Sequence, residues 1–194
     1  MKNLIRNFNN FIIFTLNNNF TLINFVLGIQ VRFKVWGLNS MIVSEILSPD
    51  AILTSINASS KKRVLQEISI AVQNFYGLNQ SEVFLALQER EDLGPTGMGH
   101  GVAIPHARIS SLKSIKGLFA KLIKPLDFGS MDSQNVDLLF VLIAPYESGA
   151  NHLKALAKIS RILRNKSTCE KLRSTVDKSA LYSILTTDTE IQAA

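Results

Sequence analysis

The chain is short of the residues that announce several kinds of chemistry. It holds one cysteine in 194 residues, so no intramolecular disulfide can form, no Cys pair can grip a zinc ion, and a reducing compartment suits it. That cysteine, Cys169, lies in Ser167-Thr168-Cys169-Glu170-Lys171, the first turn of an expected helix, and reads as a small packed side chain, not a nucleophile. No H-E-x-x-H helix motif is present, and no G-x-x-x-x-G-K-[ST] loop. A helical zinc site and a P-loop that takes phosphate from ATP are therefore not expected. No carboxylate pair and no Ser-His-Asp arrangement can be nominated, and no segment repeats.

Acidic charge is missing before Glu45, where Lys2, Arg6, Arg32 and Lys34 contribute +4 of the net +6. From Met41 onward the balance is only +2, with basic and acidic residues interleaved. The high pI therefore belongs largely to the first segment, and nucleic acid is not an expected partner. A transmembrane helix needs about 20 apolar residues. The apolar run from Phe11 is broken by Asn17-Asn18-Asn19 and Asn24, so a membrane span is not expected either. A signal peptide fits no better, because the block Phe11–Leu16 is short and no small-x-small cleavage site follows it. Met41-Ile-Val-Ser-Glu-Ile-Leu reads as an ordinary protein start. Residues 1–40 are thus expected to be an N-terminal extension, untranslated or disordered, with a membrane-associating tail as the alternative. Residues 41–194 are expected to form one cytoplasmic domain.

What is present suits a folded core, with 46% hydrophobic residues. Ser59-Ser60 can cap a helix through Phe75, stopped by Gly77, with Val64, Leu65, Ile68 and Val72 on one face. A second helix is predicted over 80–91 behind Asn79 and Ser81. Strands are predicted over 101–105, 117–123 and 136–144, the last apolar enough to be central in a sheet covered on both faces. Turn chemistry follows at Pro125–Ser130, and Glu147–Asn151 reads as a loop. Helices are predicted from His152 to Asn165, behind a Ser167-x-x-Glu170 capping box, and from Asp177 onward to a frayed tail. Alternating elements give an α/β (α+β) fold, a single domain with a mixed β-sheet flanked by helices on both faces.

Residues 90–109 stand apart. Four glycines (Gly94, Gly97, Gly99, Gly101) and Pro95 precede Val102-Ala103-Ile104, and Pro105 then presents His106. Glycine allows positive φ and close backbone approach to a ligand. The chain's three histidines are His100, His106 and His152, and three readings compete for them. Each can be an ordinary surface or packed residue. A metal site lacks supporting ligands, and the i, i+6 spacing of His100 and His106 is not a ligand spacing. The third reading is nucleophilic attack by an imidazole on phosphorus, with glycine-loop amides and an Arg stabilising charge. His152, near a helix N-terminus, would be held neutral and able to bond an anion.

Four stretches carry a family resemblance: S-K-K-R-V-L-Q-E-I at 60–68, R-E-x-L-G-x-T-G-x-G-x-G-V-A-I-P-H at 90–106, V-D-L-L-F-V-L-I-A-P at 136–145 and N-H-L-K-A-L at 151–156. On these the chain resembles the fructose/mannitol-type enzyme IIA domain of the bacterial phosphoenolpyruvate:sugar phosphotransferase system, and within it the stand-alone nitrogen-regulatory branch. The match runs from Ser44 to Glu190; residues 1–40 have no counterpart in it. The resemblance implies that His106 accepts phosphate through Nε2 from a phosphorylated HPr-like carrier protein. It implies that His152 supports it, and that Arg90 holds the phosphoryl group or the donor's surface. Gly99 and Gly101 are expected to bring backbone amides to phosphate oxygens. No cofactor and no metal are implied. The expected role is a regulatory phosphocarrier that controls partner proteins by its phosphorylation state. The alternatives are the IIA component of a sugar transporter and a binding module that is never phosphorylated. Two positions depart from the family pattern: His100, where Asn is common, and Ala107, where Gly is common. His100 would add a donor to the site or compete with it.

Overall fold

The computed structural model describes residues 7–8, 11–16, 19–26, 29–34 and 42–187, and the chain divides into Met1–Ser40 and Met41–Ala194. The described part of the first unit is an antiparallel sheet in chain order, β1 (Asn7–Phe8), β2 (Phe11–Leu16), β3 (Asn19–Val26) and β4 (Ile29–Lys34). Phe8 pairs with Phe11, Leu16 with Asn19 and Val26 with Ile29. The composition of this segment does not predict these strands. The frayed tail expected after the final helix falls outside the described residues.

The second unit is built on one strand. Residues 136–145 are β-branched and aliphatic almost without interruption, and they form β10 (Val136–Pro145), a central strand buried from both sides. Its alternation splits the core: Leu139, Val141 and Ile143 face one layer, while Leu138, Phe140, Leu142 and Ala144 face the other. β9 (Lys116–Leu126) pairs antiparallel with it, and β5 (Leu47–Ile56) runs parallel to β9. On the other side lie β7 (Val102–Ala103) and β8 (His106–Ile109), both parallel to β10, and β6 (Gly97–Gly99) pairs with β7.

Helix α2 (Lys61–Tyr76) and helix α3 (Gln80–Asp92) cover the first face. Ser60 Oγ accepts from the Arg63 amide and Gly77 closes α2 at φ 68°; Asn79 caps α3 through the Glu82 amide. Short α1 (Val43–Ile46), α4 (Gly149–Arg164), α5 (Lys166–Ser174) and α6 (Lys178–Thr186) cover the second face. The mixed sheet flanked on both faces is the architecture read from the sequence. No helix among the described residues is long and apolar enough to cross a membrane.

Four local expectations change. The strand predicted to end at Pro105 resumes beyond it: β7 and β8 follow one edge of β10, with Leu138↔Val102 and Leu142↔His106 in register. Proline lacks a donor, but its carbonyl still takes the Leu142 amide at 3.0 Å, so the edge tolerates the break. β5 went unpredicted because Pro49 and Asp50 spoil its alternation. It is an edge strand whose register with β9 shifts between Leu47 and Ile52. Helix α4 begins at Gly149, after a 3₁₀ turn at Tyr146–Ser148, so His152 is inside the helix rather than at its entrance. Asn165, not Ser167, caps α5, accepting from the Thr168 amide.

Candidate functional site

β8 sets the geometry. Successive strand side chains point to opposite faces, so Ala107 and Ile109 enter the core under α2 and α3. His106 and Arg108 take the other direction. Both line an open cavity of about 420 Å³, together with Arg90 and Leu93 beside the end of α3, Tyr146 after β10, and His152, Leu153 and Leu156 on α4. Three different elements thus converge on His106. Ala107, the departure from the family's Gly, is a buried side chain in the α2–α3 core.

Hydrogen bonds fix the state of the His106 ring. Its Nδ1 lies 2.9 Å from the Ile104 carbonyl oxygen, a pure acceptor, so Nδ1 carries the proton and donates. The lone pair is then on Nε2, which accepts from Arg90 Nε at 3.0 Å. Arg90 Nη1 also donates to the Gly94 carbonyl at 2.9 Å, so the guanidinium is held at both ends. Burial, chiefly, and the Arg90 and Arg108 guanidiniums keep the His106 pKa below the ordinary 6.5; the Ile104 carbonyl and Glu91 pull the other way. The ring is neutral at physiological pH, with its lone pair toward the Arg90 guanidinium.

His152 is 5% exposed, and its ring centroid is 5.6 Å from that of His106. Its Nδ1 accepts from Arg108 Nε at a long 3.4 Å, which leaves the proton on Nε2. That Nε2 is buried with no partner among the described residues, and a buried donor without an acceptor is costly. Burial, then the neighbouring His106 and Arg108, push the His152 pKa down to about 4. The neutral state expected from a helix dipole is present, but burial is its main cause.

A pH dependence follows from these two rings. Both take up protons more readily unfolded, near 6.5, than folded. Stability is therefore unaffected above about pH 6.5 and falls as the pH drops from there towards about 4. Urea midpoints measured across that window should decline, and less steeply in His152→Gln. An equal slope for the two proteins would remove His152 as a cause.

Arg90 is placed by a neighbour that sequence reading missed. Glu91 is 6% exposed and takes Lys61 Nζ at 3.0 Å, the Thr96 amide at 3.3 Å and Thr96 Oγ1 at 2.6 Å. One carboxylate thus ties the start of α2, the end of α3 and the glycine loop together. Arg108 was also missed, although its i+2 relation to His106 on a strand is a readable signal.

The glycines shape a turn beside β7. Gly99 (φ 88°), His100 (φ 55°) and Gly101 (φ 77°) form a left-handed turn. A Cβ at 99 would stand 3.0 Å from Asp132 Oδ2, and one at 101 would stand 2.5 Å from Arg173 Nη2 and 2.9 Å from Asp137 Oδ1. Neither residue lines the His106 cavity. In this structure the two glycines make packing contacts with Asp132, Asp137 and Arg173. His100 is part of the same turn: it is exposed, its amide donates to Asp132 Oδ2 at 2.7 Å, and its carbonyl accepts from Arg173 Nη2 at 2.7 Å. Asn tolerates that φ well, which accounts for the residue common there. Among the described residues no group of His, Cys, Asp and Glu could hold a metal ion.

Residues 45–188 match the family described as phosphoenolpyruvate-dependent sugar phosphotransferase system, EIIA 2. The chain belongs to that family. Among its relatives in the family, a nitrogen regulatory protein of Bradyrhizobium diazoefficiens is 48% identical over 145 residues, 75% of this chain and 95% of the relative. A nitrogen regulatory protein of Escherichia coli is 36% identical over 76% of this chain and 91% of its own length. The crystal structure of nitrogen regulatory protein IIA-Ntr from Neisseria meningitidis superposes with a TM-score of 0.71 at 34% identity, covering 74% of this chain and 99% of that one. The mannitol IIA of Escherichia coli, 20% identical with a TM-score of 0.61, shares the fold. EIIA proteins are phosphotransfer components, and the EIIA fold of this chain carries the His106 cavity at the edge of its sheet.

Proposed function

We propose that the protein is a regulatory phosphocarrier in which His106 Nε2 accepts a phosphoryl group from the phosphohistidine of an HPr-like carrier. One observation carries the reading. His106 is neutral, its Nδ1–H is fixed on the Ile104 carbonyl, and its Nε2 lone pair meets a guanidinium in an open cavity. The lone pair forms the new N–P bond while the donor's N–P bond breaks and its electron pair returns to the donor imidazole. The proton stays on Nδ1, hydrogen-bonded to the Ile104 carbonyl, so the phosphorylated ring starts as a cation, and a donor ring protonated on its other nitrogen leaves as a neutral imidazole. Arg90 turns from the lone pair to the phosphoryl oxygens, and Arg108 stands within the same cavity to share them. His152 Nε2–H, unpartnered in the free protein, is a further donor for that dianion. The phosphoryl group adds a charge of about −1.5 to −2 at an exposed apolar rim, enough to change which protein binds there. The names of the nitrogen regulatory relatives favour regulation over a dedicated sugar permease.

Incubation with labelled phosphoenolpyruvate, enzyme I and an HPr-type carrier should place about one acid-labile phosphoryl group on each chain. Absence of label under conditions where the carrier itself is labelled would favour a binding module that is never phosphorylated.

A further inference from the structure

The charge of the described domain is unevenly spread. Residues 42–148 hold nine basic and eleven acidic residues, whereas 149–187 hold eight basic and two acidic. Helix α4 carries no acid at all. Its buried side is His152, Ala155, Ile159 and Leu163; the opposite side presents Leu153, Lys154, Ala157, Arg161 and Arg164 to solvent. Lys154, Arg161 and Arg164 have no ion pair among the described residues. Around Ala157 and Ser160 the surface sinks into a depression of about 480 Å³, rimmed by Arg161 and Arg164.

That face is continuous with the His106 cavity. Leu153 lines the cavity at 64% exposure, beside Tyr146 at 62% and Leu93 at 86%. From Leu153 to Arg164 the helix runs about 16 Å at 1.5 Å per residue. A protein whose phosphohistidine reaches His106 must cover the apolar rim, and its footprint extends along α4. An apolar centre with a charged flank is the anatomy of a protein–protein interface.

We propose, resting on the phosphocarrier reading, that the outer face of α4 is a docking flank selecting phosphodonor proteins whose own phosphohistidine is bordered by acidic residues. Like-charged carriers are refused by repulsion, and matched ones are steered to the cavity. Such rim charges act mainly on the association rate and its salt dependence.

The test uses one HPr-type carrier in two forms, with acids or with lysines beside its phosphohistidine, and measures second-order transfer to the full chain. Transfer from the acidic form should be the faster and should slow as salt rises. Arg161→Glu/Arg164→Glu should lower that rate about tenfold at low salt, with the gap closing near 0.5 M, where screening acts within about 4 Å. Phosphoramidate, too small to touch α4, should label both proteins equally, which shows the variant folded and His106 intact. Transfer that ignores both sets of charges, or favours the lysine form, overturns the docking flank and leaves the phosphocarrier reading standing. Binding of phosphatidylglycerol vesicles or duplex DNA that the double variant loses, with carrier transfer unchanged, also overturns it. No transfer from either carrier removes both readings together.

Discussion

Replacing His106 by alanine is expected to reduce labelling from the phosphorylated carrier at least about a hundredfold, to background. No other group in the cavity can take over as acceptor. His152 is 5% exposed, and its Nε2 is buried and carries the proton. His100 lies in a separate turn, outside the cavity. Loss of a nucleophile removes the covalent route outright, whereas loss of a hydrogen-bond donor only weakens it. The label should be acid-labile and traceable by mass spectrometry to the peptide around Pro105-His106. Retained label in the alanine variant would move the acceptor elsewhere, and His152 would be the next residue to replace.

Phe140→Ala is expected to destabilise the domain by about 4 kcal/mol, the usual cost of truncating a fully buried phenylalanine. Phe140 is 0% exposed on the central strand, in the core layer that holds α4. Its ring fills the space over Gly117, where an added Cβ would stand 2.9 Å from Phe140 Cε1, and it is in register with Phe119 on β9. Little nearby can collapse into the gap, because β9 and β10 are held by their ladder. For a domain of this size the melting temperature should drop by roughly 10 °C. The loss also bears on function, since α4 carries His152 and rests on this layer. A midpoint within about 1 kcal/mol of the unaltered protein would mean the core repacks, and the site above it with it.

Much of the fold was readable because its signals are local. The caps Ser60, Asn79 and Asp177 each act on the amide three residues on, and each is found where its sequence placed it. The apolar run of β10 has one solution in water, a strand covered on both faces. β5 was not readable: Pro49 and Asp50 conceal a strand that exists because β9 offers it an open edge. Asn165 displaced the Ser167 capping box because α4 ends at Arg164, and that ending is set by packing.

The candidate site divides in the same way. From the order of residues came His106 after a proline and the motif around it, and the resemblance those motifs carry nominated Arg90 and His152. Only the tertiary structure decided which groups meet that imidazole. Arg90 and the Ile104 carbonyl bond it, Arg108 reaches the neighbouring His152, and Glu91 ties the end of α3 to the glycine loop, while Gly99, His100 and Gly101 fold away towards Asp132, Asp137 and Arg173. A sequence lists backbone preferences residue by residue. Which side chains come within hydrogen-bond reach depends on the register of β8 against β10 and on where α4 begins, and both are set by burying two apolar layers at once.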